Sequence, residues 1–171
     1  GEGKSFIAAN LATAFAQNGA KVLLVDCDIR KGRQHLIFDQ HNQKGLSNLL
    51  LENIEEKYSE YIVETKIKNL SVMFRGVTPP NPSELLTSQK MVDLIKYLEK
   101  VFDVIIFDGT PSTIVTDAII LSKFVNTTLI VSAHKITKTE DLNQVKRNIL
   151  NVGGKIAGVV VNKMPVNKKE S

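Results

Sequence analysis

Five short runs of aliphatic and β-branched residues recur along this 171-residue chain, with helical patterns or turn signals between them. They are KVLLVD (21–26), LSVMFR (70–75), DVIIFD (103–108), TTLIVSA (127–133) and IAGVVVN (156–162). Each is short for a helix and too evenly apolar for a strand with one wet face. Strands of this kind belong in parallel sheets, where crossover helices cover both faces. Between the runs, residues 5–17 read as a helix stopped at Asn18-Gly19. Asn81-Pro82 read as a cap and first-turn proline before a short helix. In 88–100, Met91, Leu94, Ile95 and Leu98 fall on one helical face, and 139–154 repeats that pattern before Gly153-Gly154. Strands alternating with helices predict an α/β fold: a doubly wound, mostly parallel sheet flanked by helices. Only 40–69 resists the scheme. GLSNLL (45–50) starts a helix, and the polar remainder is expected to be a peripheral insertion.

The length suits a single domain over 1–171. Apolar residues make up 43% and charged residues 23%, which argues for a packed core rather than disorder. No apolar run approaches the ~18 residues that cross a bilayer, so membrane association is expected through a partner or the surface. A single cysteine, Cys27, rules out an internal disulfide. The net charge is +4, but the lysines are scattered, with tight basic clusters only at 30–33 and 168–169. A solvated basic surface is the plainer reading, and no nucleic-acid partner is expected.

In open α/β sheets, ligands bind beyond the carboxyl ends of the strands. Asp26 and Asp28 follow the first run, Asp108 ends the third, and Asn162 ends the fifth. Asp26 and Asp28 stand two apart, so an extended strand end points both the same way. One carboxylate can take a proton from an attacking hydroxyl, and another can hold the water shell of Mg²⁺. The chain itself opens Gly1-Glu2-Gly3-Lys4-Ser5-Phe6 and runs straight into a helix. A glycine-rich turn there aims backbone N–H groups at phosphate oxygens, Lys4 reaches terminal phosphates, and the Ser5 hydroxyl ligates Mg²⁺. The bland alternatives are an ordinary helix start and Asp-rich turns. Their joint occurrence at strand ends, in this order, favours one site. His35 has no second His or Cys at ligand spacing and reads as a loop-packing residue. Tyr58, Tyr61 and Tyr97 are dispersed and read as packing or surface residues.

The ensemble resembles the bacterial tyrosine kinases (BY-kinases) of capsule and exopolysaccharide synthesis, over residues 1 to about 163. VDCDIRKGRQHLIF (25–38) is similar to the family's D-x-D-[LI]-R-x-P-x-x-H-x-x-F signature. GLSNLL, PPNPSELL (79–86) and VTDAIILS (115–122) are further family phrases. The resemblance implies an ATP- and Mg²⁺-dependent protein-tyrosine kinase on a P-loop fold with a deviant Walker A motif. Gly1, Glu2, Gly3, Lys4, Ser5 and Phe6 then stand for the nucleotide cradle, with Asn162 at an adenine-facing position. A strand-end Asn that caps a loop is the alternative for Asn162. Asp26 stands for the base toward the tyrosine hydroxyl, with Lys4 as its catalytic companion. Ser5, Asp28 and Asp108 stand for the magnesium residues. Gly32 replaces a usual proline, Arg75 a usual small residue, and Asp108 is followed by Gly-Thr-Pro. The same resemblance implies an N-terminal strand ahead of Gly1, a tyrosine tail after VNKKES, and phosphorylation between copies in a homo-oligomer. It further implies a membrane-bound activator resembling chain-length regulators, and a place at the cytoplasmic face of the plasma membrane through that partner. A partition or positioning ATPase of the ParA/MinD kind, a nucleotide switch, shares the fold and is the competing reading.

Overall fold

A computed structural model describes residues 2–52, 57–110 and 117–165 of the chain. Helix α1 (Lys4–Gln17) leads into strand β1 (Val22–Asp26), short helices α2 (Gln34–Ile37) and α3 (Leu46–Leu51), and a 3₁₀ turn at Tyr58–Tyr61. Strands β2 (Val63–Glu64) and β3 (Leu70–Met73), helices α4 (Pro82–Leu86) and α5 (Gln89–Val101), and strand β4 (Val104–Asp108) follow. Helix α6 (Asp117–Leu121), strand β5 (Thr128–Ala133), helix α7 (Thr139–Asn151) and strand β6 (Ile156–Asn162) complete the order.

The five apolar runs all form strands, but they do not form one sheet. A four-stranded sheet runs β2-β3-β1-β4, and β5 pairs with β6 in a separate two-stranded sheet. Strand β1 is parallel to both β3 and β4, and β5 is parallel to β6. The edge strand β2 is antiparallel to β3. It holds two residues in a polar stretch, too little for any periodic signal.

All five residues of β1 are buried, as an unbroken apolar run requires. One core cluster joins Leu23, Val25 and Cys27 to Met91, Leu94 and Leu98 of α5. On the opposite face Leu24 and Val72 pack against Ala9, Ala12 and Ala16 of α1. The small α1 residues bring that helix close to the sheet, which sets its N-terminus beside the strand ends. Ser88 caps α5 by accepting the Met91 N–H. Asn81 occupies the cap position of α4 but makes no capping bond; its amide Nδ2 donates to Glu84 Oε2 at 3.3 Å instead. The 40–69 region is only partly peripheral: Leu46, Leu49, Leu50 and Tyr61 belong to the main core. The unpatterned stretch includes residues 53–56, which lie outside the described residues.

Strand β4 is the open edge of the larger sheet and β5 an edge of the smaller. Both line a cavity of about 580 Å³, together with Ile7 and Leu11 of α1 and Val145 and Ile149 of α7.

Candidate active site

Parallel pairing of β1 with β4 sets Asp26 directly beside Asp108 in register. The backbone continues the match, since the Cys27 N–H donates to the Asp108 carbonyl at 2.9 Å. Cys27 turns away into the core and is fully buried, so the two acids share the rim without the thiol between them. Asp26 is 0% exposed and Asp108 3%. Burial, reinforced by the Asp108 charge, pushes the Asp26 carboxyl up to about 7. Burial also raises Asp108, against the pull of hydrogen bonds from Ser5 and Gln34. Asp28 is less buried; its Oδ1 accepts the Lys31 N–H at 3.0 Å, and its charge adds to the upward push on both neighbours.

Helix α1 begins at this rim. Gly3 is its cap, with φ 89°, a left-handed geometry that favours glycine. A Cβ on Gly3 would also lie 2.3 Å from Asn162 Nδ2. That amide donates to the Glu2 carbonyl at 2.9 Å, while Asn162 Oδ1 accepts the Lys163 N–H at 2.8 Å. Asn162 therefore ties the end of β6 to the glycine loop with both of its polar atoms, which is the geometry of a loop cap. The Lys4 ammonium sits 2.5 Å from Glu2 Oε2, which holds the Glu2 carboxyl below its usual range. No acidic residue occupies the first turn of α1, so its free N–H groups face no carboxylate of their own helix. The Phe6 side chain is exposed. Gly1 lies outside the described residues.

The residue that joins these parts is Gln34, the first of helix α2. Gln34 is completely buried. Its peptide N–H donates to Asp26 Oδ2 at 3.1 Å, and its Nε2 donates to Asp108 Oδ2 at 2.8 Å and to the Ser5 carbonyl at 2.9 Å. Both strand-end acids and the first turn of α1 thus meet on one side chain. A lone Gln at the start of a four-residue helix carries no periodicity; its only flag was the position beside His35 in the signature. Beside it, His35 has its Nδ1 buried and unpartnered and its pKa lowered by burial and by the Arg75 charge.

Two of the three departures from the family pattern, Gly32 and Arg75, are in contact. The Arg75 guanidinium donates to the Gly32 carbonyl and the Ile29 carbonyl, each at 3.2 Å, and to Thr78 Oγ1 at 2.9 Å. A Cβ on Gly32 would stand 2.2 Å from Asp26 Oδ1. Glycine at 32 leaves room for the Asp26 carboxylate, and arginine at 75 holds the loop that glycine would otherwise loosen. Three signature phrases also converge. The buried Asp117 accepts from Ser83 Oγ at 2.5 Å and pairs with Arg30 Nε at 3.7 Å. Residues 115–116 of the fourth phrase, and Pro111 after Asp108, lie outside the described residues, as does the tail 166–171.

Among the described residues, no group of three or more His, Cys, Asp or Glu side chains stands close enough to hold a metal ion by direct ligation. The donor set still fits Mg²⁺, which keeps several waters and takes few protein ligands. Buried Asp26 Oδ1 and Gln34 Oε1 both lack a partner, and such atoms accept from ordered water. The tyrosines are structural: Tyr61 OH donates to Glu52 Oε2 at 2.6 Å, which pushes its pKa up to about 12, and the Tyr58 and Tyr97 rings lie 4.8 Å apart.

Residues 1–157 match the model of a family described as an AAA domain. The chain is 43% identical to the putative tyrosine-protein kinase CapB of Staphylococcus aureus, over 99% of this chain and 73% of that protein. It is 37% identical to the tyrosine-protein kinase ptk of Acinetobacter johnsonii over 94% of its own length, but spans only 22% of that longer protein. The chimerical protein CapA2B2 has the same fold at a TM-score of 0.92 and 43% identity, covering 97% of this chain and 73% of that one. MinD of Pyrococcus horikoshii, solved with Mg-ADP, matches at a TM-score of 0.77 and 22% identity, covering 98% of this chain and 68% of that one. That likeness is one of fold, and it is all that the positioning-ATPase reading retains. With 99% of this chain and 73% of such a relative matched at 43% identity, the chain belongs to the bacterial tyrosine-protein kinases.

Proposed function

We propose that the rim of β1, β4 and α1 binds Mg-ATP and transfers the γ-phosphoryl group to a protein tyrosine, with Asp26 as the base. The observation that carries this reading is the in-register pairing of Asp26 with Asp108 beside the start of α1. The tyrosine oxygen forms a bond to the γ-phosphorus, the bond to the β-phosphate oxygen breaks, ADP leaves, and the hydroxyl proton passes to Asp26 Oδ1. That oxygen is buried and without a hydrogen-bond partner, and a carboxyl titrating near 7 matches a base working near neutrality. The N–H groups of the first α1 turn, from Gly3 to Phe6, cradle phosphate oxygens. Lys4 leaves Glu2 to meet the terminal phosphates, and Asn162 keeps the loop in place. Ser5, Asp28 and Asp108 are the residues that would hold Mg²⁺, which would supply charge neutralisation at the phosphates.

Residues 1–171 act in this reading as one kinase domain. The cavity between β4 and β5 supports a further apolar strand there, delivered just ahead of Gly3, which would join the two sheets into one. Phosphorylation between copies of the chain regulates capsular or exopolysaccharide synthesis and export. A membrane-bound activator holds the kinase at the cytoplasmic face of the plasma membrane. Among the described residues, no helix is long and apolar enough to cross a bilayer.

The test is tyrosine phosphotransfer to a polytyrosine peptide, run beside a DNA-stimulated ATPase assay. Asp26→Asn is expected to lower phosphotransfer by about 10²–10⁴-fold while leaving ATP binding nearly intact, because the base acts only in the chemical step. Phosphotransfer by the variant at the parent rate would refute the assignment of Asp26. ATP hydrolysis that responds to DNA, with no tyrosine transfer, would favour the nucleotide switch.

A further inference from the structure

Gln34 stands out among the buried polar groups because its two ends are treated differently. The Nε2 end is fully used, by Asp108 Oδ2 and the Ser5 carbonyl. The Oε1 end is buried and accepts nothing, and Asp26 Oδ1 is in the same condition. The Gln34 backbone N–H binds the other oxygen of that same Asp26 carboxylate. Two unpartnered acceptors thus sit on residues that hydrogen-bond each other, next to the residues read above as magnesium donors. A buried acceptor left unmade costs ~1–3 kcal/mol, so an arrangement with two of them is complete only when a donor enters. Among the described residues neither atom has a partner, and the N–H donors of Gln34 itself are spent on Asp26, Asp108 and the Ser5 carbonyl. A metal-bound water is such a donor, with two polarised O–H groups and a need for outer-shell acceptors.

We infer that Gln34 is a positioning residue for the metal–nucleotide complex: its carboxamide holds Asp108 against the first turn of α1 and offers Oε1 to a water of the magnesium shell. The inference rests on the nucleotide-binding reading of the rim. Its reach is different, since it assigns to a neutral side chain the joining of the phosphate loop to the strand-end acid. The fork at Nε2 fixes where Asp108 sits relative to Ser5, and Oε1 then selects a hydrated ion over a bare one. Asp28 lies on the same loop, six residues back, so a shift of Gln34 also moves that acid.

The experiment measures Mn²⁺ binding by electron paramagnetic resonance, with ADP present, on the full chain as its gene encodes it. Gln34→Met has nearly the same volume and neither donor nor acceptor. It is expected to weaken Mn²⁺ binding about 10–100-fold, the usual cost of losing an outer-shell partner. Metal-free ADP binding should change little, a split that a merely structural role would not produce. Gln34→Glu keeps an acceptor and loses the donor to Asp108, and should also weaken Mn²⁺ binding. Should Gln34→Met not fold, the parent protein carries the test: its Gln34 side-chain amide signals, followed by ¹⁵N NMR, must shift when Mg²⁺ joins bound ADP. Folded Gln34→Met with parental Mn²⁺ affinity, or amide signals indifferent to Mg²⁺, would overturn the inference while leaving the kinase reading intact. A parent chain that binds no metal–nucleotide at all would overturn both.

Discussion

The β1–β4 body and the β5–β6 unit are built from similar apolar runs, yet they are held very differently. Every residue of β1 is buried, between α1 on one face and α5 on the other. Strand β6 alternates instead: Val159 is 49% exposed and Val161 50%, while its partner β5 leans on a small cluster of Ile119, Ile130, Val145 and Ile149. The half that carries Asp26 and Asp108 is thus packed on both faces, and the half that carries Asn162 is packed on one. Precision is needed where carboxylates must meet a phosphate to within a fraction of an ångström, and a doubly covered strand supplies it. Asn162 bonds the glycine loop through the Glu2 carbonyl, a contact that tolerates a looser support.

The largest effect that would sharpen this contrast is in the first half. Leu94 of α5 is 0% exposed in the main core. Leu94→Ala is expected to cost about 2–5 kcal/mol of stability, read by urea denaturation, because the packed sheet above it cannot collapse into the space. A loss below about 1 kcal/mol would mean that this body relaxes as easily as the other, and the contrast would fail.

A second effect concerns the cost of the site itself. In the metal-free protein the Asp26 carboxyl titrates at about 7, against an ordinary value of 3.8. The folded state therefore binds this proton more tightly than the unfolded chain does. The resulting stability is present below 3.8 and is lost as pH rises toward 7. Asp26→Asn has no charge to bury. In the presence of a chelator it should exceed the parent in stability by roughly 4 kcal/mol at pH 8, and the two should converge toward pH 4. Equal stability at pH 8 would show that the carboxylate is better solvated than its burial indicates. The gain in stability and the loss of phosphotransfer would come from the same substitution, as expected where a charge is buried for chemistry.

What was legible in the sequence follows the same division. Asp26 and Asp108 end unbroken apolar runs, so one-dimensional pattern was enough to put them on a common rim. The α5 face of Met91, Leu94, Ile95 and Leu98 was legible because helical periodicity is a repeated signal, and all four are buried. Gln34 was not legible. It acts through three bonds that only the folded loop brings together, and nothing repeats. The Gly32–Arg75 contact spans 43 residues and was visible only as two separate departures from a pattern. The separation of the two sheets escaped for another reason: apolar runs say that strands exist but not which edges meet. For Asn162, composition and position allowed either an adenine contact or a loop cap, and the bond to the Glu2 carbonyl is a contact that neither could foretell.

The smallest effect probes the exposed face of β6. Val159 points its side chain toward solvent, and threonine is close to it in shape and in preference for strands. If that face is open in the working protein, Val159→Thr should change stability by less than about 0.5 kcal/mol, in line with other exposed substitutions. The same change in β1 would place a hydroxyl among fully buried neighbours, with a cost of ~1–3 kcal/mol for the unmatched polar group. Measured side by side, Val159→Thr and Val25→Thr should therefore differ several-fold. A cost at 159 that approaches the cost at 25 would mean that a second surface covers β6 in solution, and that the looser half is tightened by what docks there.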